Sequence, residues 1–187
     1  MVPIAALWLP IIISAVLVFV ASTVIHMVLT YHKPDYRPVS DEEALRQALK
    51  KQNLPPGQYH IPHVMDMADF KKPEVLKKFE EGPLAMITIR KAGPMTMTPA
   101  LIQWFVYLLV ISLFVAYLTG RVVAPGTDYL HVFRVAGTTA FLAYAGGQAM
   151  QSIWSGTPWS ITIKNIFDGL VYSLLTAGSF GWRWPHA

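Results

Sequence analysis

The chain has 187 residues, of which 53% are hydrophobic and only 14% are charged. Since about a quarter of the residues in a soluble domain are charged, this composition argues against a soluble domain and indicates a membrane protein. The absence of cysteine excludes disulfides, thiolate metal sites and cysteine nucleophiles. The net charge of +4 comes from few groups without a basic, aromatic-interleaved run, so no nucleic-acid partner is predicted.

The chain opens with an apolar segment. No Asp, Glu, Lys or Arg occurs between Val2 and His32, and this run is far longer than the core of a signal peptide. Residues 1–30 are therefore predicted to hold a retained transmembrane helix. Pro10 predicts a kink near Leu7.

Residues 31–99 are predicted to form a small polar α+β cap domain. This segment contains eleven of the fifteen Lys and Arg and nine of the eleven acidic residues. Ser40 and Glu43 match a capping box, which predicts a helix from Ser40 onward. The pattern of the remainder predicts an extended segment over 58–64, a helix over 73–81 and a strand over 84–90.

Residues 100–187 are predicted to form a three-helix transmembrane region, with helices over 100–120, 135–154 and 165–182. Their connections are short, which favours antiparallel neighbours. All six Trp lie in or beside the apolar segments, as expected for side chains at the headgroup level. The predicted fold class is an all-α membrane protein, with four transmembrane helices and the cap inserted between helices 1 and 2.

The distribution of basic residues predicts the orientation. With four spans, the face that carries the cap has twelve Lys and Arg, and the face that carries both termini has three. The positive-inside rule then places the cap in the cytoplasm and both termini outside the bacterial cytoplasmic membrane. The helices are predicted to be surrounded by membrane lipid.

Small residues in the third apolar segment predict tight helix packing, because they allow close backbone approach. By contrast, the 100–120 helix carries Phe, Leu, Val and Tyr on every side, which predicts contact with lipid or with other integral membrane subunits. The predicted packing positions are Gly137, Ala140, Ala143, Gly146 and Gly147.

Polar side chains within the apolar segments are candidate functional residues, because they are costly in a bilayer. His26 and Asp168 are each predicted about one turn inside the cap-side boundary, so they are a candidate polar pair. In the alternative interpretation, Asp168 lies in the first turn of its helix, where the helix dipole and Lys164 satisfy it.

Two sets of residues are candidate ligands of a metal or pigment. Neutral imidazole suits haem or a chlorophyll-type pigment, and the candidates are His26, His32 and His131. The alternative is that these histidines are interfacial. The sequence requires no cofactor, and bound lipid or pigment is compatible with it.

The second set lies in the cap and consists of side chains that resemble the ligands of a soft metal ion such as copper. In an extended segment the two histidines of this set point to opposite faces, which weakens the match. The residues are His60, His63, Met65 and Met67.

The sequence contains no nucleophile elbow, zinc-protease motif, phosphate loop or dinucleotide fingerprint, so the protein is predicted not to be an enzyme.

Three stretches together with Leu7-Trp8-Leu9-Pro10 resemble bacterial four-helix integral membrane proteins of unknown function. The resemblance covers the helices and not the cap, and implies the helix count alone. The three stretches are 155–159, 168–172 and 178–182.

The predicted function is that of a non-enzymatic accessory or structural subunit within a larger multi-subunit membrane complex. An energy-converting complex, photosynthetic (reaction-centre or light-harvesting) or respiratory, is suggested by analogy with its small apolar subunits. The alternative is a small-molecule or proton-linked membrane sensor or transporter that uses His26 and Asp168. A third hypothesis is a membrane enzyme or metal-handling protein that uses residues 60–67.

Overall fold

The computed structural model describes residues 1–186, and the chain divides into two units. The larger unit is Met1–Tyr36 with Thr96–Ala187, and the smaller is Arg37–Met95. In chain order the elements are α1 (Trp8–Thr23), α2 (Glu42–Lys51), β1 (Gly57–Ile61), α3 (Pro73–Glu81), β2 (Ala85–Ile89), α4 (Thr98–Val122), α5 (Tyr129–Ala145), α6 (Gln148–Ser155) and α7 (Trp159–Trp182).

The first helix has a short non-α turn at each end. A 3-10 turn, Ile4–Leu7, precedes α1, and a π turn, Val24–Val28, follows it. Pro10 is the third residue of α1, where the missing N–H has no helical partner to lose. The predicted irregularity near Leu7 is therefore the point at which the 3-10 turn gives way to the α-helix.

Four long helices of the larger unit pack as an antiparallel bundle. Helix α1 packs against α4 and α7, and α5 packs against α4 and α7. Small polar side chains lie in these interfaces: the hydroxyls of Ser14 and Ser112 are 2.9 Å apart. Trp104 Nε1 donates to Ser22 Oγ at 2.9 Å. Such contacts are typical of helices that pack within a bilayer.

The end of the bundle away from the cap unit's attachment points is closed by backbone hydrogen bonds. The N–H of Val2 donates to the carbonyl oxygen of Gly120 at 2.8 Å, and that of Gly126 donates to Pro185 at 2.9 Å. The first and last described residues and the loop between α4 and α5 therefore lie at the same end of the bundle.

Two helical segments, Ile4–Val28 and Thr98–Val122, are long and apolar enough to cross a membrane. Only 28% of the most apolar stretch of each is buried. A core helix of a soluble protein is mostly buried, so this outward apolar surface fits lipid contact better.

The helix predicted over 135–154 is wrong in its bounds and its continuity. Helix α5 begins at Tyr129, because the Asp128 carboxylate caps it by accepting from the N–H of His131 at 3.1 Å. It ends at Ala145, and a turn at Gly146-Gly147 separates it from α6. Glycine is a poor helix former, and a Cβ atom at Gly146 would lie 2.5 Å from the Leu142 carbonyl oxygen.

Other predicted bounds differ less. Helix α4 extends the predicted 100–120 segment by two residues at each end, and α7 begins at Trp159, six residues before the predicted 165–182 segment. Helix α7 starts directly after Pro158, a residue that favours a helix boundary.

The predicted packing positions divide into two groups. Ala140 is fully buried, and a Cβ atom at Gly137 would lie 3.1 Å from the Cβ of Ala177 on α7. Ala143, Gly146 and Gly147 are exposed, so their predicted role in packing is wrong. Gly137 therefore faces α7, whereas Ala143 lies on an exposed side of α5.

The smaller unit contains α2, α3 and an antiparallel pair of strands, with Gly57 opposite Ile89 and Ile61 opposite Ala85. The predicted helix over 73–81 is confirmed. The predicted cap residue Ser40 is wrong, because the Asp41 carboxylate accepts from the N–H of Ala44 and α2 begins one residue later.

Candidate functional site

A cluster of polar side chains surrounds Asp168 on α7. The Asp168 side chain is buried, with 3% of the residue exposed. The Tyr31 hydroxyl donates to its Oδ1. His32 Nε2 lies 2.8 Å from its Oδ2, and His26 Nε2 lies 3.9 Å from the same oxygen. Three residues from one part of the chain therefore meet at the carboxylate of a residue from another part.

The backbone after α1 brings these side chains together. His26 lies in the π turn, a wider helical turn that occurs often at functional sites. The chain then leaves the helix at Leu29 and forms a 3-10 turn over Lys33–Asp35. This reversal places Tyr31 and His32 against α7, and the imidazoles of His26 and His32 stack with ring centres 4.6 Å apart.

Asp35 and Lys164 extend the cluster. Asp35 Oδ2 lies 2.6 Å from His32 Nδ1, and Lys164 Nζ donates to Asp35 Oδ1 at 2.5 Å. Lys164 also donates to the carbonyl oxygen of Tyr31 at 2.6 Å. The hydrogen bond from Lys164 holds the pKa of the Asp35 carboxyl below its usual value, against the opposing effect of burial.

Tyr31 is a neutral donor in this arrangement. Burial raises the pKa of its phenol well above the usual value, and the hydrogen bond to Asp168 raises it further. The phenol therefore keeps its proton at physiological pH. Its role is to donate to the carboxylate.

A cleft of about 370 Å³ adjoins the cluster and shares His26 and Asp168 with it. Its walls are mainly aromatic and apolar, and His26 and Asp168 are among the polar residues that line it. Tyr172 Oη lies 3.4 Å from His26 Nε2. The lining residues are Ser22, Thr23, His26, Met27, Met97, Leu101, Trp104, Tyr107, Tyr144, Gln148, Asn165, Asp168, Gly169 and Tyr172.

One buried donor in this cleft is unused. The Tyr144 hydroxyl has no hydrogen-bond partner within residues 1–186, although only 7% of the residue is exposed. The hydroxyl of the neighbouring Thr176 donates instead to the carbonyl oxygen of Tyr172, at 2.9 Å. An unpaired buried hydroxyl costs free energy, and the Tyr144 ring that carries this one lines the cleft.

The structure brings His26 and Asp168 close together, as the polar-pair hypothesis predicts. The alternative, in which Asp168 lies in the first helical turn beside Lys164, is wrong. Helix α7 begins at Trp159, so Asp168 is its tenth residue, and Lys164 binds Asp35.

His32, the second candidate pigment ligand, joins the cluster, but His131 does not. His131 is exposed near the start of α5, where Tyr129 packs against Gly181 at the end of α7. Asp168 lies thirteen residues earlier on α7, or about 20 Å at 1.5 Å per residue.

The cap residues His60, His63, Met65 and Met67 are all exposed. His60 lies in β1 opposite Met86, and His63 follows beyond the strand. Among residues 1–186, the three His or carboxylate side chains whose ligand atoms converge are His26, His32 and Asp168, within 4.8 Å of one another.

Comparison with protein-family models, with curated proteins and with solved structures finds no match to this chain. A functional assignment therefore depends on the chemistry of the cluster and the cleft. Together they provide an apolar volume with hydrogen-bond donors at one end and a carboxylate flanked by two imidazoles. Such a combination suits binding of a small, partly polar molecule.

Proposed function

We propose that this protein is an integral membrane protein with four spanning helices, whose bundle binds a small lipid-soluble molecule in the cleft beside Asp168. The cap lies in the cytoplasm, the termini lie outside, and the role is binding rather than catalysis. The observation that carries the proposal is the aromatic cleft that ends on His26 and Asp168.

The size and lining of the cleft support this role. Its volume falls within the range of about 300–1,000 Å³ that is usual for small-molecule sites. Trp104, Tyr107, Tyr144 and Tyr172 provide aromatic surface, which favours a flat apolar ring. The proposed ligand therefore has a flat apolar ring, and the ring carries oxygen atoms that accept hydrogen bonds.

The donors of the cleft explain why oxygen atoms on the ring matter. The hydroxyl of Tyr144 is unpaired. The Gln148 amide donates to the carbonyl oxygen of Tyr144 at 3.4 Å and the Asn165 amide donates to Gln148 Oε1 at 3.5 Å, so both donors are held only by long hydrogen bonds. A carbonyl oxygen on a ligand satisfies one or more of these donors. Each hydrogen bond of this kind contributes about 1 kcal/mol.

Equilibrium dialysis of the purified full-length protein in detergent tests the proposal, with menadione as the probe. The hydrocarbon analogue 2-methylnaphthalene has the same ring system without the oxygens. We expect saturable binding of menadione at one site per chain. Binding of the hydrocarbon should be weaker by about thirtyfold, because two hydrogen bonds of about 1 kcal/mol each are lost.

Two matched variants locate the binding. Leu101→Trp introduces a larger side chain into the lining of the cleft, and Leu113→Trp makes the same change at an exposed position of the same helix. We expect the first to weaken menadione binding by about tenfold or more, since overpacking costs about 1–3 kcal/mol. Equal affinities of the two variants, or equal affinities for the two probes, would contradict the proposal.

A second candidate function is that of an accessory subunit in a larger membrane complex. The outward surface of α4 favours it, because Ile102, Val106 and Phe114 are all more than half exposed. This apolar surface fits a neighbouring subunit or lipid. Purification in mild detergent tests the candidate by the mass of the particle, and elution as a monomer without a stoichiometric partner would exclude it.

A further inference from the structure

We infer that His26, His32 and Asp168 form a three-ligand site for a divalent transition-metal ion, bound through the Nε2 atoms of the two histidines and Oδ2 of Asp168. The inference goes beyond the proposed function and does not depend on it, since an ion can bind whether or not the cleft holds a molecule. Two imidazoles and a carboxylate are a donor set suited to Zn²⁺ and to Fe²⁺.

The distances match this interpretation. Ligand atoms about 2.0–2.2 Å from a tetrahedral Zn²⁺ are separated from one another by roughly 3.3 Å. In the structure the Asp168 oxygen lies 2.8 Å from His32 Nε2 and 3.9 Å from His26 Nε2. All three atoms lie within 4.8 Å of one another. Side-chain movements of about 1 Å therefore suffice to surround an ion.

The charge of the cluster favours a cation. Asp35 has Lys164 as its partner, but within residues 1–186 no Lys or Arg nitrogen lies within 4.0 Å of the Asp168 carboxylate. A buried carboxylate without a fixed cation is costly, most of all in a membrane. A divalent ion held by His26 and His32 supplies the missing positive charge.

The surroundings of His32 provide a second, independent observation. Its Nδ1 lies 2.6 Å from the Asp35 carboxylate, which is itself held by Lys164. A carboxylate that accepts from one imidazole nitrogen orients the ring and leaves the other nitrogen for a metal, an arrangement that is common around bound metals. Asp35 is thus a positioning residue for His32.

The remaining coordination position faces the cleft. His26 and Asp168 both line it, and the His26 side chain is 49% exposed. Three protein ligands with an open fourth position distinguish sites that bind a further molecule from closed structural sites.

Metal binding by the purified full-length protein tests the inference. After chelator treatment, the protein is titrated with Zn²⁺, and in a parallel anaerobic experiment with Fe²⁺, and the bound metal is measured by mass spectrometry. We expect about one ion per chain, and either metal supports the site. His32→Ala and Asp168→Asn should remove stoichiometric binding, and Asp35→Asn should weaken it by about 10–100-fold.

His131→Ala is the matched control, since it removes an exposed histidine from the same bundle, and it should retain the full stoichiometry. The double variant His60→Ala/His63→Ala should do so as well. Absence of binding by the wild type after chelation would overturn the inference, because the three side chains would then be shown not to hold an ion. Binding that survives both His32→Ala and Asp168→Asn would also overturn it.

X-ray absorption of the metal-loaded wild type decides the question if the variants fail to fold. We expect scattering from two imidazole rings and from nitrogen or oxygen atoms at about 2.0–2.2 Å. A spectrum without imidazole scattering would exclude the site. When the dialysis experiment with menadione is run on the same chelator-treated protein, its outcome does not depend on a bound ion, so failure of that experiment and failure of this one are distinguishable.

Discussion

Lys164 is the single fixed cation of the polar cluster. Three-quarters of its side chain is buried, and its ammonium group contacts both the Asp35 carboxylate and the carbonyl oxygen of Tyr31. Only 6% of the Asp35 side chain is exposed. Removal of the cation therefore leaves a buried carboxylate without its main partner.

We expect Lys164→Met to lower the free energy of unfolding by about 3 kcal/mol, at the lower end of the range for a broken buried ion pair because Lys164 is partly exposed. The measurement is reversible unfolding of the full-length protein in mixed detergent micelles. The double variant Lys164→Met/Asp35→Asn should recover much of this loss, because it no longer buries an uncompensated charge.

Arg134→Met is the control for this prediction. It also removes one positive charge from the bundle, but Arg134 is exposed. Its effect should stay within about 0.5 kcal/mol. A loss as large as that of Lys164→Met would show that net charge, rather than the contact with Asp35, accounts for the effect.

At this scale the sequence predicts part of the cluster, with His32 singled out as a candidate ligand. His26 and Asp168 are recognisable because polar residues are rare in apolar segments. Tyr31 and Asp35 are not, because their positions depend on the reversal between Leu29 and Tyr36, where the backbone is irregular apart from the short 3-10 turn Lys33–Asp35. His32 and Asp35 are three residues apart in the sequence, a spacing that lets two side chains meet on one helical turn.

The interface between α5 and α7 shows how closely two helices of the bundle approach. A Cβ atom at Gly169 would lie 3.0 Å from the Cβ of Ala145 and 3.3 Å from its backbone nitrogen. Gly178, nine residues later on α7, has more room, since its nearest neighbour is the Tyr129 hydroxyl at 3.7 Å. The two glycines therefore differ in the room that a side chain would have, although both lie within helix α7.

We expect Gly169→Ala to lower the free energy of unfolding by about 1–3 kcal/mol, because the added methyl group meets the backbone of α5. Gly178→Ala should be neutral or stabilising, because alanine favours a helix by up to about 1 kcal/mol over glycine. Unfolding in detergent micelles measures both. Equal effects of the two changes would contradict the close approach at Gly169.

At the scale of elements, apolar runs and turn residues predict the existence of most helices and both strands. The bounds of α5 and α7 are less predictable, because Arg134, Lys164 and other polar residues interrupt the apolar pattern inside continuous helices. The break at Gly146-Gly147 is difficult to predict because the small residues around it do not interrupt the helical pattern. Small residues at regular spacing also fit a packed helix, and tertiary structure decides between the two.

For the whole molecule, the number of spanning helices determines which loops share a side of the membrane. Two segments, Ile4–Val28 and Thr98–Val122, are long and apolar enough to cross. If α5 and α7 cross as well, the loop before α7 lies on the same side as the cap. If they do not, this loop lies on the side of the termini.

Single cysteines distinguish these arrangements, because the chain contains no cysteine of its own. The informative variants are Ser40→Cys in the cap, Ala124→Cys after α4 and Ser160→Cys at the start of α7, all at exposed positions. With a membrane-impermeant maleimide on intact cells, we expect labelling of Ala124→Cys alone. The other two should react only after the membrane is permeabilised.

Labelling of both Ala124→Cys and Ser160→Cys in intact cells would indicate two spans in place of four. Labelling of Ser40→Cys alone or with Ser160→Cys would reverse the orientation that the positive-inside rule predicts. Both results leave the geometry of the cluster unchanged.

The two ends of the bundle differ in how firmly the chain is held. At one end, main-chain hydrogen bonds join Val2 to Gly120 and Gly126 to Pro185. At the other, side chains around Asp168 border an open cleft. We therefore expect slow amide hydrogen exchange at the closed end and faster exchange beside the cleft. Under the proposed function, this difference in stiffness would let a ligand enter from one leaflet of the bilayer only, and binding would then follow the composition of that leaflet.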